Sequence, residues 1–227
     1  MHFPISKKLP CTYNYFSITY GGKNVGVKMQ IDIYDFDKTI VPFDSGSLFC
    51  LYCILHYPYL ILLLPIAVPV LLTALVLMLC HIISFTGFKK ICFLFVPFIP
   101  LEKAVKGFWD KYDNRVHKWF YDRERYSVVI SASPDFLLEE IQKRLGFETL
   151  ICTRHSRKTG MIIGENCRDE EKVKRLYKEF PKEEIEVINV YSDSLTHDKP
   201  LFSLATQCYH IVNSEKVPFN FNDVYNK

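Results

Sequence analysis

Gln30-Ile31-Asp32-Ile33-Tyr34-Asp35-Phe36-Asp37-Lys38-Thr39 decides the reading of this chain. Its first part, 30–35, reads as a buried strand that ends in a carboxylate. Asp35 and Asp37 stand two residues apart where that strand gives way to a loop, so they can converge on one ligand. An aspartate attacking phosphorus is a recognised form of covalent catalysis. Taken alone, the same pattern also suits a loop with two solvated aspartates.

Downstream, strand and helix signals alternate. Residues 126–131 (Tyr-Ser-Val-Val-Ile-Ser) are rich in β-branched side chains and read as a second strand. Ser133 and Pro134 then predict an N-cap and a first-turn proline for a helix burying Phe136, Leu137, Ile141 and Leu145, with Gly146 ending it. A third strand is expected at 148–152. A β-hairpin over 151–165 turns at Lys158-Thr159-Gly160, and an amphipathic helix over 169–180 stops at Pro181. A strand at 185–191, a helix at 198–206 and a short strand at 208–212 complete the series. This alternation predicts an α/β fold, a three-layer Rossmann-like parallel sheet, with ligands bound beyond the carboxyl ends of its strands.

Three of those ends carry further polar groups. Ser131-Ala132-Ser133 closes a strand and opens a helix, where a hydroxyl and free amides suit an anion. Such serines also cap many helices without binding anything. Lys172 lies near the start of the helix after Gly164-Glu165-Asn166-Cys167, within reach of a phosphate or simply solvated. Ser192-Asp193-Ser194-Leu195-Thr196-His197-Asp198 places a second carboxylate pair after a strand, where oxygen ligands suit a hard cation.

The order Asp-x-Asp-x-Thr, Ser at a strand end, Lys, then a separated Asp pair resembles the four motifs of the haloacid dehalogenase superfamily over about 30–212. The resemblance implies a Mg²⁺-dependent phosphatase. Asp35 would be the nucleophile and Asp37 the proton donor and base. Thr39 would support the loop, and Ser131 and Lys172 would hold phosphoryl oxygens. Asp35, the backbone carbonyl of Asp37 and Asp193 would hold the metal, with Asp198 in support. In many relatives the second Asp of the last motif comes four residues after the first. Here His197 stands there and Asp198 follows at five, which bears on the assignment of Asp198. Asp37-Lys38-Thr39 also echoes the phosphorylated aspartate of P-type ATPases, but Ile40 stands where that motif continues with Gly.

A long insertion, 45–122, separates the first and second strands. It leaves 29–44 and 123–227 as the catalytic core and 1–28 as an extension without motif or period, expected to be poorly ordered or a leader upstream of Met29. From Ser45 to Phe88 the insertion holds no Asp, Glu, Lys or Arg. Its end is amphipathic, with Val105, Phe108, Trp109, Tyr112 and Val116 on one face. It is expected to be a strongly apolar helical cap. A cap at this point resembles the branch with phosphoserine phosphatases. Tyr191-Ser192-Asp193-Ser194 with Pro200-Leu201-Phe202 is more similar to phosphatidylglycerophosphatase C enzymes.

An uncharged face has no use for water, so membrane contact through 45–100 is expected. Residues 59–86 are long enough for one span, with Lys89-Lys90 beyond them. Asp35 and Ser131 must meet in one site, so the insertion must leave and return on one side. That leaves a helical hairpin with Pro65 and Pro69 near its turn, or a shallow interfacial cap. The expected substrate is a membrane lipid phosphate such as phosphatidylglycerophosphate. The alternatives are a soluble metabolite such as phosphoserine, or a non-catalytic membrane-bound binding protein. Net charge is +3, too small to suggest nucleic acid. Eight scattered cysteines and no secretory signal point to a cytoplasmic catalytic domain, with Cys50 and Cys53 structural despite their spacing.

Overall fold

The β-branched and aromatic residues of the sequence runs above do assemble into one sheet. The structure, a computed structural model, describes residues 17–20, 23–26, 28–83, 86–87 and 92–225. Two strands, β1 (Ser17–Tyr20) and β2 (Lys23–Gly26), pair antiparallel. Gly21-Gly22 between them is a turn signal that the absence of a period had hidden. Residues 1–16 of the extension lie outside the described residues.

The main sheet contains β3 (Met29–Tyr34), β4 (Tyr126–Pro134), β5 (Thr149–Thr153), β6 (Ile185–Ser192), β7 (Gln207–Val212) and β8 (Glu215–Phe219). Their order is β5-β4-β3-β6-β7-β8; the first five are parallel and β8 runs antiparallel to β7. The edge strand β8 and the following helix Phe221–Tyr225 had no sequence expectation. Alternation along β3 divides the core. Ile31 and Ile33 pack on one face with Leu176, Phe180 and Phe202, whereas Tyr34 packs on the other with Phe120, Val129 and Phe147. Helices therefore cover both faces, giving three layers.

The helices, in chain order, are α1 (Ser45–His56), α2 (Leu64–Leu79), α3 (Leu101–Tyr112), α4 (Asp135–Leu145), α5 (Glu170–Glu179), α6 (Lys199–Phe202) and α7 (Phe221–Tyr225). Several differ from expectation. Pro134 itself is the N-cap of α4, because the Ser133 hydroxyl is turned away from that helix. Gly146 ends α4 at φ 68°, as its left-handed preference requires. α6 is a single turn; Leu204 and Ala205 already fold back on Leu201 and Phe202, so the expected 198–206 helix stops short. The expected hairpin over 151–165 is reduced to one bridge, His155 with Ile162. Gly160, at φ 73°, sits where a Cβ would meet the Phe93 carbonyl oxygen at 1.7 Å, so the turn is pressed onto the chain there.

α3 fixes the insertion to the core. Trp109 is fully buried, its indole N–H donates to the Leu137 carbonyl at 2.8 Å, and its ring meets Phe36 edge-on. Pro65 and Pro69 do not form a turn. They lie within α2, and with the preceding 3-10 turns Pro58–Leu79 makes 22 helical residues, long and apolar enough to cross a membrane by length and composition alone. Pro65 falls in the first turn, where no N–H is needed. The chain reverses instead after Leu79, where His81 takes φ 58° and Ile82 N–H reaches the Leu77 carbonyl. Cys53 is buried and Cys50 partly so, and burial pushes both thiols up, the reverse of a reactive pair.

Candidate active site

The site is built where β3 ends. The Asp35 amide still donates to the Tyr191 carbonyl at 2.9 Å, so the sheet holds that residue rigidly. Beyond it the chain winds tightly: the amides of Thr39, Ile40 and Val41 all point at the Phe36 carbonyl, and Lys38 adopts φ 57°. The Lys38 amide donates to the Phe43 carbonyl at 3.1 Å, which closes the loop.

Asp35 is buried, and Lys172 Nζ lies 2.6 Å from its Oδ1. The same ammonium is 2.6 Å from Asp198 Oδ1, so one buried cation joins two buried carboxylates. Asp198 also accepts from Ser192 Oγ at 2.5 Å. His197, the residue at the competing spacing, faces away, pairing with Asp169 at 2.8 Å and with Arg168.

Asp37 accepts from the Ser45 amide at 2.8 Å and from the Ser133 hydroxyl, while Ser45 Oγ donates to Ser133 Oγ at 3.1 Å. Thr39 is fully buried, and its hydroxyl accepts from the Asp193 amide at 3.0 Å, locking the first loop to the last. The Asp193 carbonyl meets His210 Nε2 at 3.0 Å. Ser131 is buried near the end of β4, and its hydroxyl accepts from the Ser133 amide at 3.1 Å, which ties it to the Asp37 cluster through Ser133. The structure thus brings Asp35, Lys172 and Asp198 together, places Asp37 on two serines, and ties Thr39 to Asp193. Ser133, Ser45 and Ser192 were missed as site residues. Only Ser133 had a usable signal, since it stands two residues from Ser131 on the same side of a strand.

Burial is the dominant electrostatic influence. It pushes the Asp35 carboxyl up to about 7, with Lys172 pulling it down and Asp198 and Asp37 adding to the rise. Burial also raises Asp37, helped by Asp44 and opposed by the bonds from Ser133 and Ser45. Asp193 is raised by burial too, against the pull of Lys38. For Lys172 burial acts downward, but Asp198 and Asp35 outweigh it and hold the ammonium above its ordinary range. Two carboxyls raised by burial to different degrees beside a fixed cation can divide nucleophile and acid roles.

A consequence for stability follows. Between the ordinary value of 3.8 and about 7, folded Asp35 keeps a proton that the unfolded chain has released. The folded state binds more protons there, so its stability falls as pH rises through that window. The metal-free protein should melt lower at about pH 8 than at about pH 5, and Asp35→Asn should flatten that slope. A slope unchanged in the variant would place the proton elsewhere.

Among the described residues no three His, Cys, Asp or Glu side chains are gathered closely enough to hold a metal by themselves. The donors present are nevertheless all oxygen, from Asp35, Asp193 and the Asp37 carbonyl. Two carboxylates with a main-chain oxygen fit Mg²⁺, which keeps several waters of its own.

A family model described as haloacid dehalogenase-like hydrolase matches residues 33–203. No curated protein sequence matches the chain significantly. Among solved structures, a protein of unknown function from Bordetella pertussis Tohama I is similar at TM-score 0.55 and 15% identity, over 81% of this chain and 82% of that one. A phosphoserine phosphohydrolase-like protein from Francisella tularensis gives 0.52 and 15%, over 82% and 88%. A phospho-aspartyl intermediate analogue of phosphoserine phosphatase gives 0.51 and 18%, over 81% and 87%. At these identities the likeness is one of fold.

Proposed function

The chain belongs to the haloacid dehalogenase-like hydrolase family, and from that premise we propose that it hydrolyses phosphomonoesters through a phosphorylated Asp35. The observation that carries this reading is the buried Lys172 joined to both Asp35 and Asp198 at the end of the central strand. An Asp35 carboxylate oxygen would form the bond to phosphorus as the ester oxygen departs. Asp37, whose carboxyl burial raises above its ordinary range, would give a proton to that oxygen. The same carboxylate would then take a proton from water, whose oxygen attacks phosphorus and releases Asp35. Lys172 would neutralise phosphoryl charge and lower the repulsion between a carboxylate and a dianion. Haloacid dehalogenase phosphatases in general use Mg²⁺. Held by Asp35, Asp193 and the Asp37 carbonyl, it would supply further charge neutralisation at the phosphoryl oxygens. Asp198, whose carboxylate is taken by Lys172 and Ser192, would act by orienting the lysine. Ser131 would present its hydroxyl to a phosphoryl oxygen, and Thr39 would keep the two loops in register.

Ser133 is a positioning residue in this scheme, because its hydroxyl donates to Asp37 and favours the ionised form. Ser133→Ala should lower kcat roughly tenfold with little change in KM, and should move the alkaline limb of the pH profile upward. An unshifted limb would show that Asp37 does not deliver the proton.

The substrate we infer is a membrane lipid phosphate, with phosphatidylglycerophosphate as the leading candidate. Its support is the uncharged insertion, whose α2 leaves Ile66, Leu72 and Val76 exposed. A phosphoserine headgroup would need paired charges there. Release of phosphate with Mg²⁺ in detergent should favour phosphatidylglycerophosphate over phosphoserine. Phosphoserine turnover far above lipid turnover would overturn the choice and leave the hydrolase reading intact. Free cysteines and the apolar insertion suit a catalytic part facing the cytoplasm at a membrane.

A further inference from the structure

The chain before and after the apolar excursion meets one side chain, Phe136. Phe49, in α1, lies 5.9 Å from the Phe136 ring, and Phe93, after the excursion, lies 5.8 Å from it. Tyr59, at the start of the helical run Pro58–Leu79, donates its hydroxyl to the Phe98 carbonyl at 2.8 Å, so the run leaves close to where the chain returns. The run's length is about 36 Å, from six 3-10 and sixteen α-helical residues. The return is much shorter: nine residues take the chain from Ile83 to Cys92, beside buried Phe93. As a helix nine residues reach about 14 Å, and only fully stretched would they reach about 31 Å. The hydrocarbon of a bilayer is about 30 Å thick, and a stretched strand crossing it would leave its amides and carbonyls without partners.

The surface of α2 indicates what covers it. Leu75, Val68, Leu72, Val76, Ile66 and Val70 are all exposed. At 100° per residue they span an arc of about 220°. Ala67, Leu71 and Ala74 hold the less exposed remainder. A second protein helix covers one stripe, about half of that arc, whereas acyl chains surround whatever enters them. No charged side chain lies between Ser45 and Phe88 to orient a protein partner.

We propose that Pro58–Leu79 is a monotopic anchor, which enters a single leaflet from the side that carries Asp35 and does not cross. A run of about 36 Å confined to one leaflet, about 15 Å of hydrocarbon, is inclined no more than about 25° to the membrane plane. Combined with the lipid-phosphate reading, on which this consequence rests, the anchor would hold the site over headgroups of the leaflet it occupies.

Cys80, exposed at the reversal, is the natural reporter. The full chain is translated cell-free, with or without sealed vesicles of phosphatidylglycerol and phosphatidylethanolamine. A membrane-impermeant maleimide is supplied outside or trapped within them, and peptide mass spectrometry reads Cys80. Vesicles should protect Cys80 at least tenfold from the outer reagent, and the trapped reagent should leave it unmodified. Labelling from within would show a crossing, the outcome that His81 beside the tip would favour. Equal labelling with and without vesicles would show no insertion. Val76→Asp should reduce vesicle flotation roughly 50-fold, since a central aspartate opposes burial in lipid. That variant should still hydrolyse para-nitrophenyl phosphate as the unaltered chain does. If neither chain hydrolyses it, the phosphatase reading falls and the labelling result stands.

Discussion

Asp35→Asn is expected to cut phosphate release by at least about 10³-fold, since loss of a nucleophile removes the covalent route itself. The substitution is isosteric, and its amide oxygen can still accept from Lys172, which now sits 2.6 Å from Oδ1. The fold should therefore survive. It should even be firmer near neutrality, because burial makes the native carboxylate costly to ionise. Single-turnover phosphate release and thermal melting, measured on the same preparation, separate the two effects. Retained turnover in a folded Asp35→Asn variant would move the nucleophile to another residue.

Lys172→Met should be the most destabilising change in the site. The residue is 3% exposed, and its ammonium is held between Asp35 and Asp198. Methionine fills similar space but leaves two buried carboxylates facing one another. Breaking a buried ion pair on one side costs about 3–5 kcal/mol. Turnover should fall at least about 10²-fold as well, because a charge aimed at the phosphoryl group is lost. Adding Asp198→Asn to Lys172→Met should recover much of the stability, since one unpaired charge is removed. It should recover little of the turnover. Such coupling is the expected behaviour of groups sharing one network. Additive losses in both measurements would mean that the three residues do not act together.

Much of the fold was legible because its signals are local. The β-branched runs at 126–131 and 185–191 became β4 and β6 with small changes at their ends, and Gly146 stopped α4 where expected. What was misread depended on partners distant in sequence. Ser133 looks like a helix cap; Ser131 beside it marks it as near the site, but nothing local reveals that Asp37, 96 positions earlier, takes its hydroxyl. Pro65 and Pro69 look like a turn. Yet Pro65 stands in the first turn of α2, where it costs nothing, Pro69 is accommodated inside the helix, and the chain reverses after Leu79 instead. β8 lacks strong alternation and forms because β7 offers it an edge.

By itself the sequence determined the chemical kinds present and their order: carboxylates, serine, lysine and carboxylates at successive strand ends, split by a long uncharged insertion. Those are properties of the chain read residue by residue. Only the tertiary structure decided that Asp198 and not His197 meets Lys172, that Asp37 rests on Ser133 and Ser45, and that the insertion returns in nine residues to the ring it left. Each of these is a distance between groups far apart in the chain. Such distances are set by how the sheet and its loops close, which no local propensity encodes. Asp35 needed both, a place at a strand end and a buried cation brought from 137 residues away.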